Sequence, residues 1–216
     1  MDNIYAILLL IVGMTIFLCI IAYYCGYHNG YAKCLKEYEK REPSKPSNWK
    51  NMEKKILFAD LDGTLIETMS GETFPKGIWD MKFKFDVLDA IKRMNPKMIL
   101  IASNQGGIEL GYVTEEEFRA KLEYVCKSIE DYCMIPCYGT YCKDNRVTCP
   151  SRKPNLGMLQ SLSRTFLESN LEDIVDNSLM IGDASGLPGQ FSDSDKKTAE
   201  KCGMEYMDVQ DFIKIW

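Results

Sequence analysis

Polarity divides the chain into two parts. Ile4 to Cys25 holds 22 consecutive positions without a charge, dense in Ile and Leu. At about 1.5 Å per residue a helix of that length spans roughly 33 Å, enough for a bilayer's hydrocarbon core. Tyr5, Tyr23, Tyr24 and Tyr27 cluster at its two ends, as an interfacial aromatic belt does. A signal peptide would carry a basic lead and a small-residue cleavage site. Only Met1, Asp2 and Asn3 precede the run, and no such site follows. The pattern therefore predicts a short tail over 1–3, a transmembrane helix over 4–25, a polar juxtamembrane helix and linker over 26–53, and a folded domain over 54–216. Lys33, Lys36, Lys40, Arg41 and Lys45 follow the apolar run, while only Asp2 precedes it. The positive-inside rule then predicts a single-pass membrane protein with its C-terminal domain in the cytoplasm.

Within the folded domain, short apolar runs alternate with helical periodicity. Lys55–Ala59 and Lys97–Ala102 read as buried strands, Ser178–Ile181 as another, and Met134–Thr140 and Met204–Met207 as two more. Phe85, Val87, Leu88, Ile91 and Met94 recur at helical spacing. Thr114-Glu115-Glu116-Glu117 is a capping box opening a helix to about Tyr132. Leu156–Leu167 and Lys196–Cys202 read as further helices. This alternation predicts an α/β fold with a central parallel sheet flanked by helices. Ligands in such sheets sit at the carboxyl ends of strands.

Composition narrows the chemistry. Apolar residues make up 46% of the chain, enough for a packed core. The first 49 residues hold five basic and four acidic side chains, so 21 basic and 27 acidic residues remain beyond them, a net of −6. That argues against a broad basic platform for nucleic acid, though not against a local basic rim. Lys76, Lys82, Lys84, Lys143, Arg146 and Arg152 are candidates for such a rim. His28 is the single histidine, so a Ser-His-Asp or Cys-His engine is excluded unless His28 folds back onto the domain. No P-loop signature occurs.

Polar clusters follow three of the predicted strands. Asp60-Leu61-Asp62-Gly63-Thr64 places two carboxylates two residues apart. One can attack phosphorus while the other handles the leaving-group proton. A carboxylate alone repels phosphate, so a cation is needed between them, and an all-oxygen ligand set suits Mg²⁺. Asp183 is a natural further ligand. Ser103 can donate to phosphate oxygens, and Lys153 can neutralise charge on the transferred group.

The four clusters, in this order, resemble the motifs of the haloacid dehalogenase superfamily of phosphohydrolases. Asp60-Leu61-Asp62-Gly63-Thr64-Leu65 is similar to its first motif and Ser103-Asn104-Gln105 to its second. Arg152-Lys153-Pro154 is similar to the third and Gly182-Asp183 to the fourth. The resemblance covers about residues 54 to 212 and implies a Rossmann-like fold with a minimal cap. It implies that Asp60 is the nucleophile forming an aspartyl-phosphate, and that Asp62 is the general acid and then the base. Asp60, Asp62 through its backbone carbonyl, and Asp183 would hold Mg²⁺, while Ser103 and Lys153 bind the phosphoryl group. Thr64, Asn104, Gln105, Gly106 and Arg152 would line the substrate.

Ser103-Asn104-Gln105-Gly106-Gly107-Ile108, Arg152-Lys153-Pro154-Asn155-Leu156-Gly157-Met158 and Gly182-Asp183-Ala184-Ser185-Gly186 resemble the 3′-phosphatase domain of polynucleotide kinase/phosphatase. Phe191-Ser192-Asp193-Ser194-Asp195 and the Thr73-Phe74-Pro75-Lys76-Gly77 loop resemble the same domain. This makes Asp195, rather than Asp193, the second acid of the last motif, touching a metal-bound water or orienting Lys153. The implied substrate is a 3′-phosphorylated nucleic-acid end. A related branch, the histidinol-phosphate and heptose-bisphosphate phosphatases, acts on small phosphate esters and holds zinc in a loop at the position of Cys133, Cys137, Cys142 and Cys149. Those cysteines lie at irregular spacing without His and read instead as reduced structural thiols. A non-catalytic anchored scaffold is the third alternative, disfavoured because Asp60 and Asp62 are both present.

Overall fold

The computed structural model describes residues 56–72, 75 and 77–216. The membrane-spanning, linker and localisation expectations over 1–53, together with His28, lie outside the described residues. So do Lys55 and three residues of the loop after the first motif, Thr73, Phe74 and Lys76. Among the described residues no helix is long and apolar enough to cross a membrane.

Five parallel strands form the central sheet: β1 (Ile56–Ala59), β4 (Met98–Asn104), β5 (Cys137–Cys142), β6 (Ser178–Gly182) and β7 (Glu205–Asp208), in the order β5-β4-β1-β6-β7. Between β1 and β4 a small antiparallel hairpin, β2 (Ile66–Thr68) with β3 (Met81–Phe83), rises from the first motif. Sequence periodicity missed it because three-residue strands carry too little pattern. Among the described residues it is joined between the first two motifs by a short turn of helix at Ile78–Asp80 and by the helix Phe85–Met94.

The helices are α1 (Phe85–Met94), α2 (Gly106–Glu109), α3 (Glu115–Cys133), α4 (Gly157–Leu167), α5 (Leu171–Ile174), α6 (Ser194–Cys202) and α7 (Val209–Ile215). Strand side chains alternate between the two faces. Ile56, Phe58, Leu100, Ala102 and Met180 pack with Met158, Leu159 and Leu162 of α4, Leu171 of α5 and Ala199 of α6. Opposite them, α1 packs against α3 and α7. Both faces are covered, so Leu57, Phe58, Leu100 and Leu179 are fully buried. That explains why the strands read as unbroken apolar runs.

Helix ends follow their chemistry. Both arms of the Thr114–Glu117 capping box form at the start of α3. Its end is Met134 in the left-handed conformation. That turn carries the chain into Ile135-Pro136, so β5 begins at Cys137, three residues later than the sequence pattern implied. The closing helix α7, also missed, is tied to α1 by the Arg93 guanidinium, which donates to the Trp216 backbone carbonyl.

From β1 the chain builds outward through β4 to β5, then returns across the sheet to β6 and β7. The direction reverses beside β1, and such a switch point opens a crevice at the carboxyl ends of the strands. Asp60 follows β1 and Asp183 follows β6, both at that crevice. The Asp60 backbone N–H donates to the Ile181 carbonyl at 3.1 Å, fixing the two strand ends together.

Candidate active site

The turn after β1 brings its backbone close to β6. Gly63 has φ +86°, and a Cβ there would run into the Asp183 carboxylate. A Cβ on Gly182 would likewise strike the Asp195 carboxylate. These two glycines allow three acidic side chains to meet. Asp60, Asp183 and Asp195 each offer a carboxylate oxygen, and these oxygens all lie within 4.8 Å of one another. Asp195 is 1% exposed and comes from the first turn of α6.

Lys153 is the counter-charge. It is 3% exposed, and its Nζ lies 2.5 Å from Asp60 Oδ1 and 2.7 Å from Asp195 Oδ1. Burial works against the ammonium, but the two carboxylates outweigh it and hold the Lys153 pKa above its usual range. Asp60 moves up, first because it is buried, and because Asp195 and Asp183 add to that against the pull of Lys153. Asp183 also moves up, by burial and then by Asp195. Asp195 Oδ2 accepts the Ala184 N–H at 3.1 Å. Asp193, the other acid of this motif, is half-buried at the helix start and pairs with Lys197 at 2.7 Å.

The Asp62 carboxylate does not join this cluster. Its Oδ1 takes Lys121 Nζ at 3.2 Å, and its Oδ2 accepts Gln105 Nε2 at 2.6 Å. Gln105 Nε2 also donates to Ser103 Oγ at 2.7 Å, leaving the hydroxyl proton of this buried serine available. Asn104 makes a reciprocal pair with the Lys153 backbone: its Nδ2 donates to the Lys153 carbonyl at 3.0 Å, and its Oδ1 accepts the Lys153 N–H at 2.9 Å. Arg152 Nη1 donates to the Asp144 carbonyl at 3.0 Å. Gly106 opens α2, where a Cβ would meet Asn145 and Arg152. Thr64 is fully buried, with Oγ1 3.5 Å from Asp183 Oδ1.

Two lysines at the site were not singled out by sequence as site residues. Lys84 Nζ donates to the Gly63 carbonyl at 2.7 Å, bracing the turn. Lys121 is 4% exposed in the middle of α3. A usable signal existed: Phe118, Leu122, Val125 and Ile129 form the buried stripe of α3, and Lys121 lies beside it.

Three members of the expected basic rim are ion-paired within the chain. Lys82 pairs with Glu67 at 3.0 Å and Lys143 with Glu115 at 2.6 Å. Arg146 grips Asp144, while Lys84 and Arg152 donate to backbone carbonyls. The cysteines do not converge. Cys142 and Cys149 lie with sulfurs 3.6 Å apart, Cys133 contacts the Leu88 carbonyl at 3.8 Å, and Cys137 meets Cys126. Among the described residues, the aspartate cluster is the one group of three or more such side chains able to hold a metal. Its donor set fits a hard divalent cation: all oxygen, carboxylate-rich, with three acids facing one ammonium.

The polynucleotide kinase 3 phosphatase family matches residues 55–213. A bifunctional polynucleotide phosphatase/kinase from Schizosaccharomyces pombe is 31% identical over 74% of this chain; the match spans 38% of that protein's length. A D-glycero-beta-D-manno-heptose-1,7-bisphosphate 7-phosphatase from Haemophilus ducreyi is 30% identical, over 61% of this chain and 74% of its own. Among solved structures, a D,D-heptose 1,7-bisphosphate phosphatase from B. bronchiseptica complexed with magnesium and phosphate superposes with a TM-score of 0.54. It is 19% identical and covers 70% of this chain and 78% of its own, a likeness of fold.

Proposed function

This chain belongs to the polynucleotide kinase 3 phosphatase family, within the haloacid dehalogenase group of phosphoric monoester hydrolases, and from that premise we propose that it removes 3′-phosphates from polynucleotide ends in a Mg²⁺-dependent reaction. The observation that carries the chemistry is the meeting of Asp60, Asp183, Asp195 and Lys153 at the switch point of the sheet.

Asp60, Asp183 and Asp195 would hold the ion. Bound there, Mg²⁺ supplies positive charge that offsets the carboxylates and draws in a phosphate. Asp60 attacks phosphorus: an O–P bond forms as the bond to the leaving oxygen breaks, giving an aspartyl-phosphate. Asp62 gives its proton to the departing oxygen, releasing an alcohol. A water then attacks the phosphoryl group and passes a proton to Asp62, freeing Asp60 and inorganic phosphate. Lys153 and the Ser103 hydroxyl hold the phosphoryl oxygens as charge builds on them. Asn104 sets the height of Lys153 through its backbone, and Gln105 links Ser103 to Asp62.

A second reading, a phosphatase of small sugar phosphates, draws support from the heptose-bisphosphate relative and from the internal pairing of the basic rim. The 216-residue chain incubated with Mg²⁺ and a 3′-phosphorylated oligonucleotide, a heptose 1,7-bisphosphate and an aryl phosphate separates them. We expect phosphate release from the oligonucleotide with the highest kcat/KM. Preference for the sugar bisphosphate would replace the polynucleotide reading with the second. Absence of release from all three would leave the scaffold.

A further inference from the structure

We propose that Lys121 is a positioning residue for the proton transfer at Asp62, acting through that carboxylate and not on the phosphate. This rests on the reading of Asp62 as the group that protonates the leaving oxygen.

Asp62 is held from two elements. Lys121 reaches Oδ1 from the middle of α3, and Gln105 reaches Oδ2 from the end of β4. A donor on each oxygen fixes both the side-chain rotamer and the plane of the carboxylate. Proton transfer to a departing oxygen depends steeply on that alignment. Lys121 is itself fixed. Its side chain is 5% exposed against 7% for Asp62, unlike the solvated pairs on the same helix. Its ammonium lies 4.9 Å from the centre of the Phe118 ring, one turn earlier. Phe118 is 1% exposed and packs edge-on against Tyr141 at 4.8 Å, and the Tyr141 hydroxyl donates to Glu115 in the first turn of α3. An exposed lysine pairing with a carboxylate adds little. A buried one, braced by a ring and aimed at one oxygen, is a fixed arm.

Lys121 also stands apart from the phosphate-binding charge. Lys153 serves the Asp60–Asp195 cluster, whereas the Lys121 ammonium meets Asp62 and the Phe118 ring. Its loss should therefore be felt where the leaving group needs a proton and not where it departs as a stable anion. An alkyl phosphate needs that proton; a p-nitrophenyl phosphate does not.

The test compares kcat/KM, which reports phosphoryl transfer to Asp60, for the full chain with p-nitrophenyl phosphate and with an alkyl phosphate such as the 3′-phosphorylated oligonucleotide. Lys121→Met should lower kcat/KM on the alkyl ester about 30-fold and on p-nitrophenyl phosphate less than about threefold. Asp62→Asn should show the same selectivity at larger size, and adding Lys121→Met to it should cause no further loss. Lys121→Arg should recover most of the alkyl-ester activity. Phe118→Leu, which keeps the ammonium and withdraws its ring, should give the same selectivity at about threefold, and serves if Lys121→Met does not fold. Equal losses on both esters would overturn the proposal and make Lys121 a phosphate ligand or a purely structural residue. So would an unchanged alkyl rate, or an additive loss in the Asp62→Asn background. If the unsubstituted chain hydrolyses neither ester, the phosphatase reading fails instead, and the two failures are distinct.

Discussion

Two ion-pair networks meet at the carboxyl ends of the central strands, and they differ in balance. Around Lys153, three carboxylates share one ammonium in a buried space. Around Lys121, one carboxylate meets one ammonium and one neutral amide. Like charges buried together oppose one another, and each raises its neighbour's proton affinity. The first network is thus incomplete as the chain alone supplies it, and its deficit is the charge of a cation. The second is complete, with both oxygens of Asp62 already bonded. An incomplete cluster is built to receive something; a complete one is built to hold a geometry.

The sharpest way to break this comparison is at Asp60, the proposed nucleophile. Asp60→Asn should leave the fold intact and lower kcat by at least about 10⁴-fold; retained turnover in a steady-state assay would remove the incomplete network from the chemistry. Chelation comes next. A chelator should abolish phosphate release, and restored Mg²⁺ should raise the melting temperature, by about 2.7 kcal/mol of stabilisation at a hundredfold excess over Kd. Asp183→Asn should blunt that shift, whereas Lys121→Met should leave it unchanged. The Lys121→Met selectivity, about 30-fold on alkyl esters, is the matching test of the complete network.

Metal-free protein offers a further separation through pH. Burial and the neighbouring acids push Asp60 from the ordinary 3.8 to about 8. A folded-state pKa raised above the unfolded value means the folded state holds the extra proton. Stability should therefore fall as pH rises from about 4 through about 8. Asp60→Asn should flatten that decline in calorimetry, and added Mg²⁺ should reverse it. Smallest is the helix entry that carries Lys121: Thr114→Ala should cost about 1 kcal/mol in chemical denaturation and leave both ester activities unchanged.

Legibility from sequence tracked the same divide. Asp60 and Asp183 directly follow strand ends, which are readable from apolar runs, while Lys153 and Asp195 stand further on, each in a short distinctive string. Helix α1 runs from Phe85 to Met94, the span that its apolar spacing implies, and the structure ends it on Asn95 in the left-handed conformation. Lys121 was not readable in the same way. It sits in a nineteen-residue helix with nine charged positions, where a lysine is ordinarily solvated, and only its place beside the apolar stripe marks it. The sequence places Gln105, Asn104 and Arg152 near substrate, yet their hydrogen bonds run to Asp62, Ser103, the Lys153 backbone and the Asp144 carbonyl. For Gln105 and Asn104 the deciding partners, Asp62 and Lys153, lie more than forty positions away, and no local pattern records that. The hairpin of β2 and β3 and the closing α7 escaped for the opposite reason: they are too short for periodicity to speak.

The double clasp between Asn104 and the main chain of Lys153 carries a wider consequence. It references Lys153, the proposed phosphoryl-binding ammonium, to the end of a central strand instead of to the segment that delivers it. The height of the amine is then set by Asn104 and not by residues 144 to 150 alone. An engineer seeking another substrate has in the clasp a fixed point from which to redesign that segment while the amine stays in register.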